Sequence, residues 1–330
     1  MKRRDFMAAL GGAALLPLAA QAQQSALPVV GFLHAGSPEE NAKRLAAFRK
    51  GLADGGFVEG RDIAIDYRWA AGRNERLPEL AAELVKRQVA LIVTPGSTAA
   101  AVAAKKATAD AASTIPIVFS SGTDPVALGL VNSLSHPGGN ATGITSLNAE
   151  LAAKRLGIFR ELAPQLSRYF TLVKPSSELA APFVADLERA AASLSVRLDV
   201  LTADTLAEID AAFGRIPQEA GCGLVFGPEG FFFVHRAHIA ALAIERRLPT
   251  IFDVRDYVEA GGLASYGSDY YNVMELTGSY AARVLRGEKP ASLPVQQATK
   301  FEMVINRKTA RTLGIDMSQT LLATADDVID

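Results

Sequence analysis

Cysteine is almost missing. One residue of 330, Cys222, carries a thiol, so no internal disulfide can staple this chain. Set in the apolar run GCGLVFG, Cys222 reads as a small core side chain. Long hydrophobic runs are scarce as well: beyond the leader described below, no segment reaches the roughly 18 apolar residues of a membrane span, and a soluble mature protein is expected. An excess of one charge is also lacking. The formal net charge is −1, about −3 once the basic leader is removed, and no Lys/Arg run, basic helix or helix-turn-helix precedes the first strand. Nucleic acid is therefore not an expected partner.

The common catalytic signatures are missing too. There is no G-x-S-x-G, G-x-x-x-x-G-K-[ST], H-E-x-x-H or C-x-x-C, and no G-x-G-x-x-G follows the first strand. His235 and His238 in HRAH share one face of an expected helix but have no evident third ligand. No enzyme, cofactor or metal is expected.

What is present is an ordinary globular composition, 49% hydrophobic and 21% charged, long enough for two domains. Residues 1–22 form an export signal: a basic start, an apolar run from Phe6 to about Ala20, and the small-x-small site Ala20-Gln21-Ala22. Arg3-Arg4 before Asp5-Phe6-Met7 fits the twin-arginine form, with an ordinary secretory signal as the alternative. With no cysteine at the cleavage site for a lipid anchor, a free periplasmic protein is expected.

The periodicity then alternates. Strands are expected at 29–33, 63–68, 90–93 and 115–121, with helices at 41–55, 77–88 and from about 99. A Gly/Pro-rich break, LSHPGGNATGITS, follows. The rhythm restarts with helices at 149–162, 182–194, 207–213 and 234–247 and strands at 169–173, 197–201, 223–226 and 250–252. Two α/β units in tandem predict doubly wound parallel sheets, whose ligands gather at the carboxyl ends of strands.

Polar and aromatic residues gather at those ends: His34 and Ser37, then Ser97 and Thr98, then Ser120, Ser121 and Asp124. In the second unit Lys174 to Ser177, Phe226 with Glu229, and Phe252 with Asp253 hold the same kind of place, and facing rims of this sort describe a cleft for a small molecule. Ser97 and Thr98 follow Pro95-Gly96 at a helix start, where free amides suit an anion such as a carboxylate, or where a hydroxyl simply caps the helix. Asp124, before Pro125, has the same two readings.

The stretches TDPVALGLVNSLSHPGGNATGITSL, KRLGIFRELAP, RLPTIFDVRDYVEAGGLASYGSD and AARVLRGEKPASLPVQQATKFEMVINRKTARTLGI resemble the ABC transporter substrate-binding protein family that includes tryptophan/tyrosine-type receptors. The resemblance covers about 28–330. It implies a type I periplasmic-binding fold: a first lobe of 28–143 plus 264–298, a second of 144–263 plus 299–330, and crossings near Gly143, Leu263 and Thr299. It also implies a monomer that delivers a carboxylate-bearing, aromatic or amino-acid-like solute to a membrane permease. An exported sensor subunit serving a membrane signalling protein is the alternative. Carried over residue by residue, it places Ser97 and Thr98 on the carboxylate, Ser120, Ser121 and Asp124 beside it, and Tyr266 and Asp269 near the hinge. His34, Tyr266 and one of Phe226, Phe231 or Phe252 are then the expected apolar walls.

Overall fold

The computed structural model describes residues 27–218 and 221–330; the expected export signal at 1–22 lies outside the described residues. The first unit runs β1 (Val29–His34), α1 (Ala42–Asp54), β2 (Ala64–Trp69), α2 (Leu77–Lys86), β3 (Leu91–Thr94), α3 (Thr98–Asp110), β4 (Ile117–Ser121) and β5 (Ala141–Thr145). Next come α4 (Ala152–Leu162), β6 (Arg168–Val173), α5 (Ala180–Ser193), β7 (Arg197–Thr202), α6 (Leu206–Arg215) and β8 (Cys222–Phe226). After them lie α7 (Gly230–Val234), α8 (Arg236–Glu245), β9 (Thr250–Phe252), α9 (Arg255–Glu259) and β10 (Ala264–Ser268). The chain closes with α10 (Tyr270–Leu285), β11 (Gln296–Gln297), β12 (Phe301–Asn306), α11 (Arg307–Leu313), α12 (Gln319–Leu322) and β13 (Asp327–Ile329).

Short, fully buried strands such as LIVT and IVFSS are what a parallel sheet covered on both faces requires. The first sheet has the order β11-β5-β4-β3-β1-β2 with every pair parallel; the second runs β13-β12-β10-β9-β8-β6-β7, and only β10–β12 is antiparallel. Leu80, Leu84, Ala100 and Ala104 cover one face of the first sheet, and Phe48, Leu52, Val273 and Ala281 the other. Leu156, Phe159 and Leu187 cover one face of the second, with Ile209, Phe213 and Ile239 on its opposite side. Both lobes are thus doubly wound.

Two crossings differ from the expected positions. β5 runs two residues past Gly143, pairing Ile144 and Thr145 with Ser120 and Ser121, so the chain leaves the first sheet only at 146–148. β10 is bonded to β9 and β12, which puts 264–268 in the second sheet, and the return crossing is at Asp269. Glycines suggest loops, but the hydrogen-bond ladder decides where a strand ends. The third crossing falls at 298–300, between β11 and β12. The helix expected at 234–247 is observed at 236–245, and a separate short helix, α7, precedes it, started by the Glu229 carboxylate accepting the Phe231 N–H.

After the second crossing, α10 returns to the first lobe and lies against α1. The two backbones touch: a Cβ on Gly51 would stand 1.9 Å from the Glu275 carbonyl oxygen, and one on Gly278 would stand 2.2 Å from that of Phe48. This contact holds α1 at the mouth of the cleft.

Candidate functional site

The carboxyl ends of the two sheets face one another across a cavity of about 70 Å³. From the first lobe it is lined by His34 to Gly36 after β1, Arg44 of α1, Gly96 to Ala99 around the start of α3, and Tyr270. From the second come Asn148, Ser177 to Leu179, Pro228 to Gly230, Phe233, Asp253 and Tyr257.

The first wall is electropositive. Ser97 caps α3: its Oγ accepts the N–H groups of Ala100 and, across the β1 turn, of Ala35, leaving its own hydrogen free to donate. Thr98 Oγ1 accepts the Gly122 N–H at 2.9 Å. The two hydroxyls therefore cap and brace the helix, and its amino end lines the cavity. His34 Nδ1 accepts the Gly36 N–H at 2.8 Å, so the ring hydrogen sits on Nε2, which is buried without a partner. Burial first, and the Arg44 charge second, lower the His34 pKa to about 3, so the ring stays neutral. Arg44 also lines this wall and has an unpartnered Nε.

The second wall is acidic. Asp253 is 5% exposed and its Oδ1 has no hydrogen-bond partner. Burial raises its pKa against the pull of Arg155 and Arg44. Arg155, wholly buried behind it, donates to the carbonyls of Tyr266, Asn148 and Phe226 at 3.0, 3.2 and 3.3 Å. Burial likewise raises the pKa of Glu229. Asn148 stands on the first crossing: its Oδ1 accepts the N–H of Ser268, the last residue of β10 before the second crossing, at 3.0 Å, while its Nδ2 is buried without a partner. Five orphaned polar atoms, His34 Nε2, Arg44 Nε, Asn148 Nδ2, Asp253 Oδ1 and Tyr257 Oη, thus belong to residues lining one cavity. Buried polar atoms left unpaired at this density call for a ligand or water to pair them.

Of the residues expected from sequence, His34, Ser97, Thr98, Ser177, Glu229 and Asp253 line the cavity. The others lie outside it. Ser37 donates to Glu40 on the rim, and Ser120 accepts the Gly96 N–H, bracing the loop ahead of α3. Ser121 donates to the Thr123 carbonyl, and Asp124 accepts the Val126 N–H, a local turn cap. Asp269 caps α10 by accepting the Asn272 N–H. Tyr266 stacks on Phe301. Phe226 and Phe252 are fully buried, one layer behind the wall, where Phe252 stacks on Tyr257 with centroids 4.4 Å apart; Phe231 packs on His235. The rings that do face the cavity are Phe233, Tyr257 and Tyr270. A ring at a strand end points to one face or the other according to register, which the local sequence does not encode. Arg44 went unnoticed because a basic residue in KRLAAFRK reads as solvated helix surface; Glu229 and Asp253 stood at strand ends, the one signal available.

Residues 37–329 match the family described as ABC transporter substrate binding protein. A curated relative, the tyrosine-binding protein of Clostridioides difficile, is 28% identical over 274 residues, 83% of this chain and 77% of its own. A conserved domain protein of Vibrio cholerae superposes with a TM-score of 0.83 at 27% identity, covering 91% of this chain and 99% of that one. An ABC domain from Streptococcus pneumonia solved in complex with L-Trp gives 0.83 at 24% identity, over 92% and 100%. The fold is that of type I periplasmic-binding proteins. With a family match over nearly its whole length, the chain belongs to the ABC transporter substrate-binding protein family, whose members are solute receptors and not enzymes.

Proposed function

We propose that this receptor serves an ABC uptake system and closes on a small zwitterion of the amino-acid kind. The observation that carries the reading is the opposed character of the two walls: donors on His34, Arg44 and the amino end of α3, and the unpartnered Asp253 Oδ1 opposite. A carboxylate suits the first set and an ammonium the second. The relatives add support, one being called tyrosine-binding and another holding L-Trp. The rings of Phe233, Tyr257 and Tyr270, rather than those expected from sequence, are the apolar walls for the side chain. The protein works as an exported monomer that passes its solute to a membrane permease, and Arg3-Arg4 ahead of the apolar leader favours the twin-arginine route.

Mass spectrometry of solute retained by the purified protein, followed by calorimetry with L-tyrosine, L-tryptophan and the remaining L-amino acids, tests this. Ser97→Ala with Thr98→Ala, and separately Asp253→Asn, should each weaken the best binder about 10-fold or more, the worth of a charge-assisted hydrogen bond. Folded variants that bind as tightly as wild type, or no amino acid bound by wild type, would overturn the reading.

A further inference from the structure

We propose that Arg44 is the clasp of the cleft: carried by the first lobe, its guanidinium docks on the second lobe only when the lobes are shut, and so sets how readily the receptor closes. The inference rests on the two-lobed receptor reading and extends it to the control of closure.

Arg44 belongs to α1, yet its Nη2 lies 2.9 Å from Oδ2 of Asp256 on α9, and the two side chains are only 6% and 10% exposed. One face of the guanidinium packs on the Phe233 ring of the second lobe, 3.6 Å from its centroid; Tyr270 of the first lobe lies 4.3 Å away. Arg236 of the second lobe lies 4.3 Å from the same Phe233 ring, and its Nη2 reaches the Glu40 carbonyl of the first lobe at 3.5 Å. Lys43, one residue before Arg44, meets Glu259 across the same rim at 2.8 Å, but with a side chain 72% exposed this pair contributes little.

The asymmetry among these contacts selects Arg44. With the lobes apart, Arg44 and Asp256 each stand in water at little cost. With the lobes together both are desolvated, and each is tolerable only because the other is there. The planar fork supplies the ion pair and the ring stack at once, which an ammonium does not. The same guanidinium keeps its Nε unpartnered at the cavity wall, so a solute anion there completes the hydrogen bonding of the shut state and favours it over the open one.

Crosslink trapping in the full chain with no solute added provides the test. Lys43→Cys and Glu259→Cys put thiols on the two sides of the rim, set apart by the reach of the long side chains they replace, so a short bis-maleimide rather than a direct disulfide bridges them, and the rate of bridging reports how often the lobes shut. On that background Arg44→Gln and Asp256→Asn should each slow trapping about 10-fold or more. The two together should slow it no further than the slower single change, and Arg44→Lys should fall between. Asp256→Asn preserves side-chain shape and keeps the test decisive if Arg44→Gln does not fold. Trapping at the parent rate in the single variants, a double variant slowed by the product of the two, or no trapping in the parent would overturn the clasp. Because no solute is used, a wrong solute class shows in the calorimetry and a wrong clasp shows here.

Discussion

His34 shows how one side chain serves both stability and recognition. It is held neutral by burial and by Arg44, with Nε2 unpaired in a residue that lines the cavity and Nδ1 satisfied by Gly36. In the unfolded chain the ring takes a proton near pH 6.5, whereas the folded protein resists until about pH 3. Between those values the unfolded state binds the proton that the native state refuses. The contribution is therefore complete above 6.5 and is lost as the pH falls, by about 1.4 kcal/mol per unit for this one group. Urea unfolding at pH 7.5 and 5.0 should show wild type losing about 2 kcal/mol more than His34→Gln over that interval. Equal losses would mean the imidazole is not buried in its neutral form. At this scale the sequence was partly legible. A histidine and two hydroxyl residues at strand ends were visible as site candidates, but Ser120, Ser121, Asp124 and Asp269 have the same appearance and serve only loops and caps.

At the scale of elements, the contact between α1 and α10 places the clasp. The helices meet backbone to backbone at Gly51 and Gly278, where an added methyl group has no space. Gly278→Ala should push them apart and lower the unfolding free energy by about 2–3 kcal/mol, the upper range for overpacking, since the obstacle is a backbone carbonyl and not a side chain that can turn aside. Gly157→Ala is the informative contrast. That glycine sits inside α4 with nothing within 4 Å of an added Cβ, and the change should stabilise by about 0.5–1 kcal/mol through helix propensity. Paired urea unfolding of the two variants checks both signs, and a neutral Gly278→Ala would show that the helices are free to slide. Neither glycine is distinguishable from the other in the sequence, because what separates them is a helix more than 200 residues away in the chain.

At the scale of the molecule, three strands of chain join the lobes, and those of the first two crossings are tied to each other. Ser268 donates its N–H to Asn148 Oδ1 and its hydroxyl to the Ser146 carbonyl, at 3.0 and 3.2 Å. Leu147 between them adopts a left-handed conformation, φ 48°, that only a constrained non-glycine residue holds. Such short, cross-braced connections suit a hinge that turns the lobes as rigid bodies. The L-amino acid that calorimetry identifies should shrink the radius of gyration in solution scattering and raise the melting temperature, since it binds the shut, folded form. Demonstrated binding with neither change would reject closure. Among the described residues no helix is long and apolar enough to cross a membrane.

The sequence by itself determined most of the alternation of strands and helices up to about residue 252, though not β5, which lies inside the stretch read as a Gly/Pro-rich break, together with the two doubly wound units, the capped start of α3 at Ser97, and the presence of acidic residues at strand ends in the second unit. These follow from periodicity, turn residues and capping, which act over a few positions. The tertiary structure alone decided that Phe233, Tyr257 and Tyr270 face the cleft while Phe226 and Phe252 are core, that β10 lies in the second sheet, and that Arg44 meets Asp256. The physical reason is distance along the chain. A ring's direction depends on sheet register at a strand end and on how its helix packs elsewhere, a strand's membership on its neighbours' hydrogen bonds, and the pairing of Arg44 on a partner 212 residues away that becomes a neighbour only after both lobes have folded.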